Sequence, residues 1–236
     1  SSENPRAELY SFGTGKRELI GETRLDSTIT SFESIKYAKT DEGTSIYADA
    51  LCADGSSMVT EFIYWSDYYN SIISPFYSYS TGRTKETLRS SQVTCRDIDG
   101  DGCIEIPEDT SSKKQSSEIT SQNWVNYGNT VLSHKCYSFS CKRDGYILVI
   151  DDDDFSKVKA NYDSESRKLT IIDKKNKSNV FEIVTLINSN YSVNDPKYKD
   201  YTMIMKNSGF VYLAKVNKSS DIDINIQTLK DMIKVY

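Results

Sequence analysis

The sequence predicts a mainly β protein whose second part is α+β. Short runs rich in tyrosine, isoleucine, valine and threonine recur along the chain, and glycine-, aspartate- or asparagine-containing turns separate them. Tyrosine is abundant, with 17 residues against 8 phenylalanines, and a tyrosine can bury its ring while its hydroxyl stays in water. A run with apolar residues at helical spacing closes the chain. We therefore expect antiparallel sheets followed by a β-meander with a C-terminal helix.

Length and charge limit the possible classes of protein. A chain of 236 residues can form one large domain or two smaller ones. The net charge is −5 and no basic stripe is present, which argues against nucleic acid as a partner. No run approaches about 18 consecutive apolar residues, so no transmembrane segment is predicted. Because the chain begins with Ser1 rather than methionine, we expect a processed or truncated piece from which any signal peptide or anchor has been removed.

The first half of the chain is predicted to form short strands, at 7–12, 17–24, 31–39, 45–51 and 58–65. A turn at 53–56 joins the last two strands into a hairpin. Apolar residues occupy both faces of 58–65, which is typical of a central strand. A further strand at 88–96 is expected to lead into an acidic loop.

Residues 67–79 are aromatic and irregular. We predict a short helix and a loop that seal the end of the sheet. The alternative is a sugar-binding platform, because flat rings stack on sugar faces; its residues would be Tyr68, Tyr69, Tyr77 and Tyr79. That alternative predicts exposed, coplanar tyrosines.

The most polar and least periodic segment, 110–121, is the predicted domain boundary. Residues 1–112 are predicted to form a β-rich domain that contains the acidic loop. Residues 113–236 are predicted to form an α+β domain.

The second domain is predicted to contain strands at 124–127, 135–141, 146–150, 158–162, 168–173, 180–187, 201–206 and 210–216. The fourth and fifth of these form one hairpin, and the last two form another. Asp221 or Asp223 is the predicted N-cap of the closing helix. Its apolar stripe consists of Ile226, Leu229, Met232 and Ile233.

The acidic loop carries the strongest chemical signal in the sequence. Its candidate ligands are the side chains of Asp97, Asp99, Asp101 and Glu105 and the backbone carbonyl of Cys103. Calcium takes about six to eight oxygen ligands, and a tight turn with aspartates at alternate positions supplies them. Gly100 and Gly102 allow the backbone to turn where a side chain would clash. The loop therefore predicts a structural calcium ion.

The spacing also meets that of an EF-hand, with Glu108 at the twelfth position. The flanks disagree, because a strand-like run precedes the loop and Pro107 lies where the second helix should begin. Ile104 and Ile106 instead alternate with Glu105, as in a strand that turns its isoleucines toward a core. In an EF-hand, Glu108 would bind the ion bidentately.

The run from Asp97 to Glu105, Asp-x-Asp-x-Asp-Gly-x-x-Glu, resembles the calcium loops of FG-GAP or integrin-α-like propeller repeats and of dockerin-type proteins. Together with Ile106 and Pro107 it also resembles propeller-like secreted lipoproteins of Gram-positive gut bacteria. The resemblance, confined mainly to residues 97–108, implies propeller-like blades, a structural calcium ion, a solvent-facing Glu108 and an extracellular or cell-envelope-anchored location. Propeller proteins repeat this loop, but here the segment 53–56 is at best a degenerate second copy with one carboxylate, and residues 122–236 contain no copy of the loop. One or two blades are therefore implied rather than a complete propeller.

Other polar residues carry weaker signals. The acidic cluster at 151–154 suits the first turn of a short helix; a second metal site is the alternative. His134 has no motif around it and is predicted to be a surface histidine. Two disulfides are left open by the sequence, one joining Cys95 to Cys103 and one joining Cys136 to Cys141; the cysteine spacings match no zinc pattern.

The sequence contains no nucleophile-elbow, zinc-protease or phosphate-loop motif. Together with the resemblance, this predicts a non-catalytic, calcium-stabilised binding or structural protein of the bacterial cell surface, whose partner is a surface glycan or protein. One alternative is a carbohydrate-binding module that uses the tyrosines of 67–79. Another is a glycoside hydrolase with an unrecognised carboxylate pair, which predicts a deep cleft with facing acids.

Overall fold

The computed structural model describes residues 4–13, 15–110, 118–128, 130–192, 195–217 and 222–236. The chain divides into two compact units, and each consists of two stretches of sequence. The first unit comprises Ser1–Asp109 and Asn123–Lys135, and the second comprises Thr110–Gln122 and Cys136–Tyr236. This division differs from a single boundary after residue 112, because 123–135 belong to the first unit. No helix in the described part of the chain is long and apolar enough to cross a membrane.

The first unit is built from antiparallel strands, which confirms the predicted mainly β class. The strands in its first stretch are β1 (Arg6–Ser11), β2 (Glu18–Arg24), β3 (Ile29–Thr40), β4 (Gly43–Cys52), β5 (Met58–Ser66), β6 (Ser71–Ile73), β7 (Tyr77–Ser78), β8 (Arg83–Thr84) and β9 (Ile106–Asp109). β3-β4-β5-β6 form a four-stranded sheet, whereas β1-β2 and β7-β8 form two-stranded ladders. β5 lies inside its sheet with residues of both faces buried, as the apolar residues on both of its faces predicted.

A cluster of aromatic residues forms the larger core of the first unit. The ring of Phe62 on β5 lies 4.9 Å from the ring of Tyr47 and 4.5 Å from that of Tyr127, measured between centroids. Ile104 and Ile106, on either side of Glu105, pack against the same cluster. The predicted packing of these isoleucines toward a core is therefore confirmed, although Glu105 between them is buried as well. This packing anchors the end of the acidic loop in the core.

The predicted helix in 67–79 is wrong. These residues form β6, turns and β7, and none of them is helical. Asn70 has a φ of 47°, a left-handed conformation that is incompatible with a right-handed helix. β6 pairs with β5 instead, and Ile72 on β6 is buried in a small satellite cluster.

The predicted strand at 88–96 is also wrong. Isolated bridges at Arg89 and Arg96 replace a continuous ladder. Side chains satisfy several of the backbone N–H groups that a ladder would have used: the Asp109 carboxylate accepts two of them and the Asp49 carboxylate accepts another. The segment is thus held by the half-buried Asp109 carboxylate and the buried Asp49 carboxylate rather than by strand pairing.

Arg89 and Asp49 form a buried ion pair beneath this segment. The guanidinium Nη2 lies 2.8 Å from Asp49 Oδ1, and both side chains are completely buried. The remaining N–H groups of the guanidinium donate to the hydroxyl of Thr60 and to the carbonyls of Thr87 and Val93. Arg89 therefore joins the irregular segment to β4 and β5.

Asp26 is a second buried carboxylate of the first unit. Its Oδ1 accepts from the N–H and the hydroxyl of Thr28, and its Oδ2 accepts from Arg83 Nε and the N–H of Thr84. Burial alone would raise the pKa of Asp26, but these donors lower it below the ordinary aspartate value. A carboxyl group with a lowered pKa stabilises the fold above its unfolded pKa, and this stability is lost as the pH falls through the folded pKa.

We expect Asp26→Asn to cost at least about 1 kcal/mol of unfolding free energy at neutral pH, because an amide cannot accept from all four donors. The difference from wild type should shrink as the pH falls below about 4, where the unfolded wild-type chain takes up a proton at Asp26, and should vanish once the pH passes through the lower pKa of the folded carboxyl. Urea unfolding at a series of pH values measures this difference. Asp41→Asn, at an exposed turn position, is the control and should show little difference at any pH. A difference that widened toward acid would contradict the prediction.

The second unit contains the rest of the secondary structure and shares two long strands with the first. Its elements are β10 (Ile119–Gly128), β11 (Val131–Cys141), β12 (Tyr146–Ile150), α1 (Asp152–Phe155), β13 (Val158–Asp163), β14 (Lys168–Asp173), β15 (Asn179–Ile187), β16 (Thr202–Lys206), β17 (Phe210–Val216), α2 (Ile226–Met232), β18 (Ile233–Val235) and two short 3₁₀ helices, Asn188–Asn190 and Pro196–Tyr198. The ends of β10 and β11 nearest their connecting turn, at 123–128 and 131–135, belong to the first unit, where β9 is the neighbour of β10.

The strand order in the second unit departs from the predicted meander. One sheet has the order β13-β14-β15-β17-β16, so that β17 lies between β15 and β16. In the other sheet, β18 pairs with β12, and β12 pairs with β11. The apolar faces of these strands and α2 meet in one large buried cluster.

The end of the chain also differs from the prediction. The N-cap of α2 is Asn225, whose side chain accepts from the N–H of Thr228 at 3.0 Å, rather than Asp223; Asp221 lies outside the described residues. Ile233 begins β18 instead of ending the helix. Its buried side chain still joins Leu229 in the core, so the predicted stripe is divided between a helix and a strand.

All five cysteines lie in the described part of the chain, and none of them is in a disulfide. The two pairings that the sequence left open are therefore not formed in this structure. Cys95 is fully buried, with its thiol 3.0 Å from Asp49 Oδ2. Burial, together with the Asp49 charge, raises the pKa of this thiol.

Candidate metal centre

The acidic loop is closed at its base by a β-bridge between Arg96 and Glu105. The N–H of Arg96 donates to the Glu105 carbonyl at 3.1 Å, and the N–H of Glu105 donates back at 2.9 Å. Gly100 and Gly102 have φ values of 86° and 89°, in the left-handed region that favours glycine. The residues that flank the loop are described throughout and contain no helix, so the EF-hand alternative is wrong.

Carboxylates within the loop accept hydrogen bonds from backbone N–H groups of the same loop. The two side-chain oxygens of Asp97 accept from the N–H groups of Gly100, at 2.6 Å, and Gly102, at 3.0 Å. Asp101 Oδ1 accepts from the N–H of Cys103 at 2.8 Å. These bonds between near neighbours bring the acidic side chains together, because each one fixes a turn.

Glu105 lies at the buried end of the loop. Its Oε2 accepts from the N–H of Ile98 at 3.0 Å, whereas its Oε1 is buried without a hydrogen-bond partner. Burial raises the pKa of Glu105 to about 7; the Ile98 N–H opposes this rise, and the charges of Asp99, Asp101 and Asp97 add to it. A buried carboxylate oxygen without a donor is costly, and a bound cation would satisfy it.

Three carboxylates converge at this point. One oxygen each from Asp97, Asp99 and Glu105 lies within 4.8 Å of the other two. Calcium–oxygen distances are about 2.3–2.6 Å, so atoms at this separation can all contact a single ion. The described residues contain no other group of three or more acidic, histidine or cysteine side chains with such spacing.

Asp101, a predicted ligand, is paired with a lysine in the structure. The Asp101 Oδ2 atom lies 2.6 Å from Lys135 Nζ, and Asp101 is not part of the converging group. This hydrogen bond lowers the pKa of Asp101. Cys103 contributes its N–H to Asp101, and a metal contact by its carbonyl stays a prediction.

Glu108 stands apart from the converging carboxylates. It lies on β9, is half-buried, and accepts a hydrogen bond from Asn123 Nδ2 at 2.9 Å. The prediction that Glu108 faces solvent is therefore wrong, although it is not grouped with Asp97, Asp99 and Glu105.

No protein-family model, curated protein or solved structure matches this chain. The resemblance of residues 97–108 to FG-GAP calcium loops therefore depends on the motif alone and stays a prediction. The oxygens, charges and burial of the site itself indicate what it can bind.

Lys135 is the site residue that the sequence analysis missed. It lies on β11, and its ammonium Nζ contacts Asp99 Oδ2 at 3.2 Å as well as Asp101. It is 34 positions from Asp101 in the chain, so no local spacing could indicate the contact. The only available signal was that 135–141 was predicted to be a strand.

The tyrosines of the predicted sugar platform do not share a plane. Tyr68 and Tyr69 are exposed, but their rings meet edge to face at 87°. Tyr79 is exposed, whereas Tyr77 is only 8% exposed and its ring is perpendicular to that of Tyr79. This geometry lacks the coplanar exposed rings that the platform required.

The weaker candidates have ordinary structural contacts. The cluster at 151–154 supplies the short helix α1, as its acidic first turn predicted, and Asp154 pairs with Lys157 at 3.1 Å. His134 is exposed on β11, and its Nδ1 is hydrogen-bonded to Asn123.

Proposed function

We propose that this protein is a calcium-stabilised binding or structural protein in which Asp97, Asp99 and Glu105 hold one structural ion. The observation that carries the proposal is the completely buried Glu105 carboxylate, which has one oxygen, Oε1, without a hydrogen-bond partner and which converges with the carboxylates of two aspartates. An ion there would join the exposed part of the loop to its buried end. It would also offset the repulsion among the carboxylates.

The chemistry of the donors favours a hard divalent cation. The converging ligands are carboxylate oxygens, which suit calcium or magnesium rather than zinc or copper. Three protein ligands leave positions for water or for backbone carbonyls, and calcium tolerates such irregular coordination better than magnesium does. We therefore propose calcium.

The proposed location and partner rest on the proposed calcium site and on the sequence. Calcium modules outside cells bind with dissociation constants of about 10⁻⁴–10⁻³ M, a range that suits a loop with only three converging ligands. The proposed location is accordingly extracellular or at the cell envelope, with a surface glycan or protein as the partner.

Calorimetric titration with calcium chloride tests the ligand assignment. We expect Glu105→Gln to weaken binding at least about tenfold, which corresponds to about 1.4 kcal/mol, because the amide removes the buried charge. Glu108→Gln is the matched control: it makes the same change three residues along and keeps an oxygen for Asn123. It should bind like wild type. A larger loss in Glu108→Gln, or no calcium heat in wild type, would overturn the proposal.

Thermal unfolding with and without chelator gives a second readout of the same variants. Chelation should lower the melting temperature of wild type, since an ion that binds only the folded state stabilises it. Glu105→Gln should melt higher than wild type in chelator, because its loop lacks a buried charge beside three aspartates, and it should gain little from calcium. This reversal of order between the two conditions distinguishes a metal ligand from a residue that only packs.

A further inference from the structure

Lys135 and the proposed ion share a ligand. The Lys135 ammonium contacts Asp99 Oδ2 at 3.2 Å and Asp101 Oδ2 at 2.6 Å. Asp99 is also one of the three residues whose carboxylates converge with Glu105. A divalent cation in the site would therefore lie close to the ammonium and would repel it.

The lysine side chain can leave this position. About a third of it is exposed, as are comparable fractions of Asp99 and Asp101. Ion pairs with this much exposure contribute at most about 1 kcal/mol, because water and salt screen them. A divalent cation with several carboxylate ligands can outcompete such a pair.

Asp101 is held by the same lysine. The motif places this residue at a ligand position, yet in the structure its Oδ2 is bonded to Lys135 rather than grouped with the other carboxylates. Release of the lysine would free Asp101 to approach the ion. The same ammonium thus offsets the repulsion among the loop carboxylates when no ion is bound.

We propose that Lys135 is a built-in counter-ion that competes with the divalent cation for Asp99 and Asp101 and so weakens calcium binding. This inference rests on the calcium site proposed above. Its consequence is that binding releases the lysine and frees Asp101 as an additional ligand. The competition thereby shifts the calcium dissociation constant toward the weak end of the range of about 10⁻⁴–10⁻³ M.

Lys135→Met tests the inference by calcium calorimetry and by thermal unfolding in chelator. We expect calcium to bind about fivefold more tightly, the factor that corresponds to loss of one exposed ion pair. In chelator the variant should melt below wild type, because its carboxylates lose their counter-ion. Lys135→Arg, which keeps the charge, should retain the wild-type affinity. Lys39→Met, at an exposed position of β3, removes the same charge elsewhere and should leave binding unchanged.

The outcomes separate this inference from the calcium proposal. Calcium binding by wild type with no gain in Lys135→Met would overturn the inference and leave the calcium site intact. A lower melting temperature in chelator without tighter binding would show a purely structural lysine and would also overturn it. Binding by Lys135→Met but not by wild type would support the competition and contradict wild-type calcium binding. Absence of binding in both proteins would overturn both proposals.

Discussion

Replacing Arg89 with methionine is expected to lower the free energy of unfolding by about 3–5 kcal/mol, because it leaves the buried Asp49 carboxylate without its counter-ion. Both side chains of the pair are completely buried, and Nη2 lies 2.8 Å from Oδ1. The remaining donors to Asp49 are neutral: the hydroxyl of Thr60 and the thiol and N–H of Cys95. They satisfy its oxygens without balancing its charge.

Urea unfolding followed by tryptophan fluorescence measures this loss, since Trp65 and Trp124 both belong to the first unit. Arg6→Met is the matched control in the same unit. Arg6 pairs with Glu8 at 2.8 Å, and its side chain is about half exposed, so its loss should cost less than about 1 kcal/mol. The double variant Arg89→Met, Asp49→Asn should lose less than the sum of the two single changes. A loss below about 1 kcal/mol in Arg89→Met would contradict the role of the pair.

The strands were predictable from sequence wherever one local pattern decided the outcome. The hairpin of β13 and β14 and the burial of β5 on both faces follow from runs of β-branched and aromatic residues between turn residues. The segment 88–96 was not predictable in this way. Its conformation depends on Asp49, which lies 40 positions from Arg89 in the chain, and no periodicity reports a buried ion pair.

The acidic loop shows the same division between local and distant information. Asp97, Asp99 and Glu105 lie within nine consecutive positions, so the turn that brings their carboxylates together could be read from the glycines and the alternating aspartates. Asp101 fits the same pattern but is bonded to Lys135, a residue on a distant strand. Sequence spacing therefore identified the acidic residues of the loop. Which of them converge and which pairs with the lysine depends on the tertiary structure.

The helix predicted at the end of the chain was partly wrong for a different physical reason. An apolar residue at helical spacing predicts burial, and Ile226, Leu229, Met232 and Ile233 all pack against the core of the second unit. Burial alone does not fix the backbone, however. Ile233 meets the core equally well as the first residue of β18, which pairs with β12. The prediction that Ile233 contacts the core was therefore right, although the prediction that it lies in a helix was wrong.

Leu229→Ala is expected to lower the free energy of unfolding by about 2–5 kcal/mol, because it leaves a cavity in that core. Leu229 on α2 is completely buried among residues that include Tyr146, Tyr212 and Ile233. Alanine has the highest helix propensity of all residues, so the change does not weaken the helix itself. The expected loss measures packing of α2 against the strands of the second unit.

The adjacent substitution Lys230→Ala separates packing from any other effect on α2. Lys230 is exposed on the same helix, and its loss should change the unfolding free energy by less than about 0.5 kcal/mol. Both variants are followed by far-UV circular dichroism in urea, because the loss of α2 and of the strands it packs against changes this signal. Equal stability of Leu229→Ala and Lys230→Ala would mean that α2 is a loosely attached tail. In that case β18 would have to hold the end of the chain by its ladder with β12 alone.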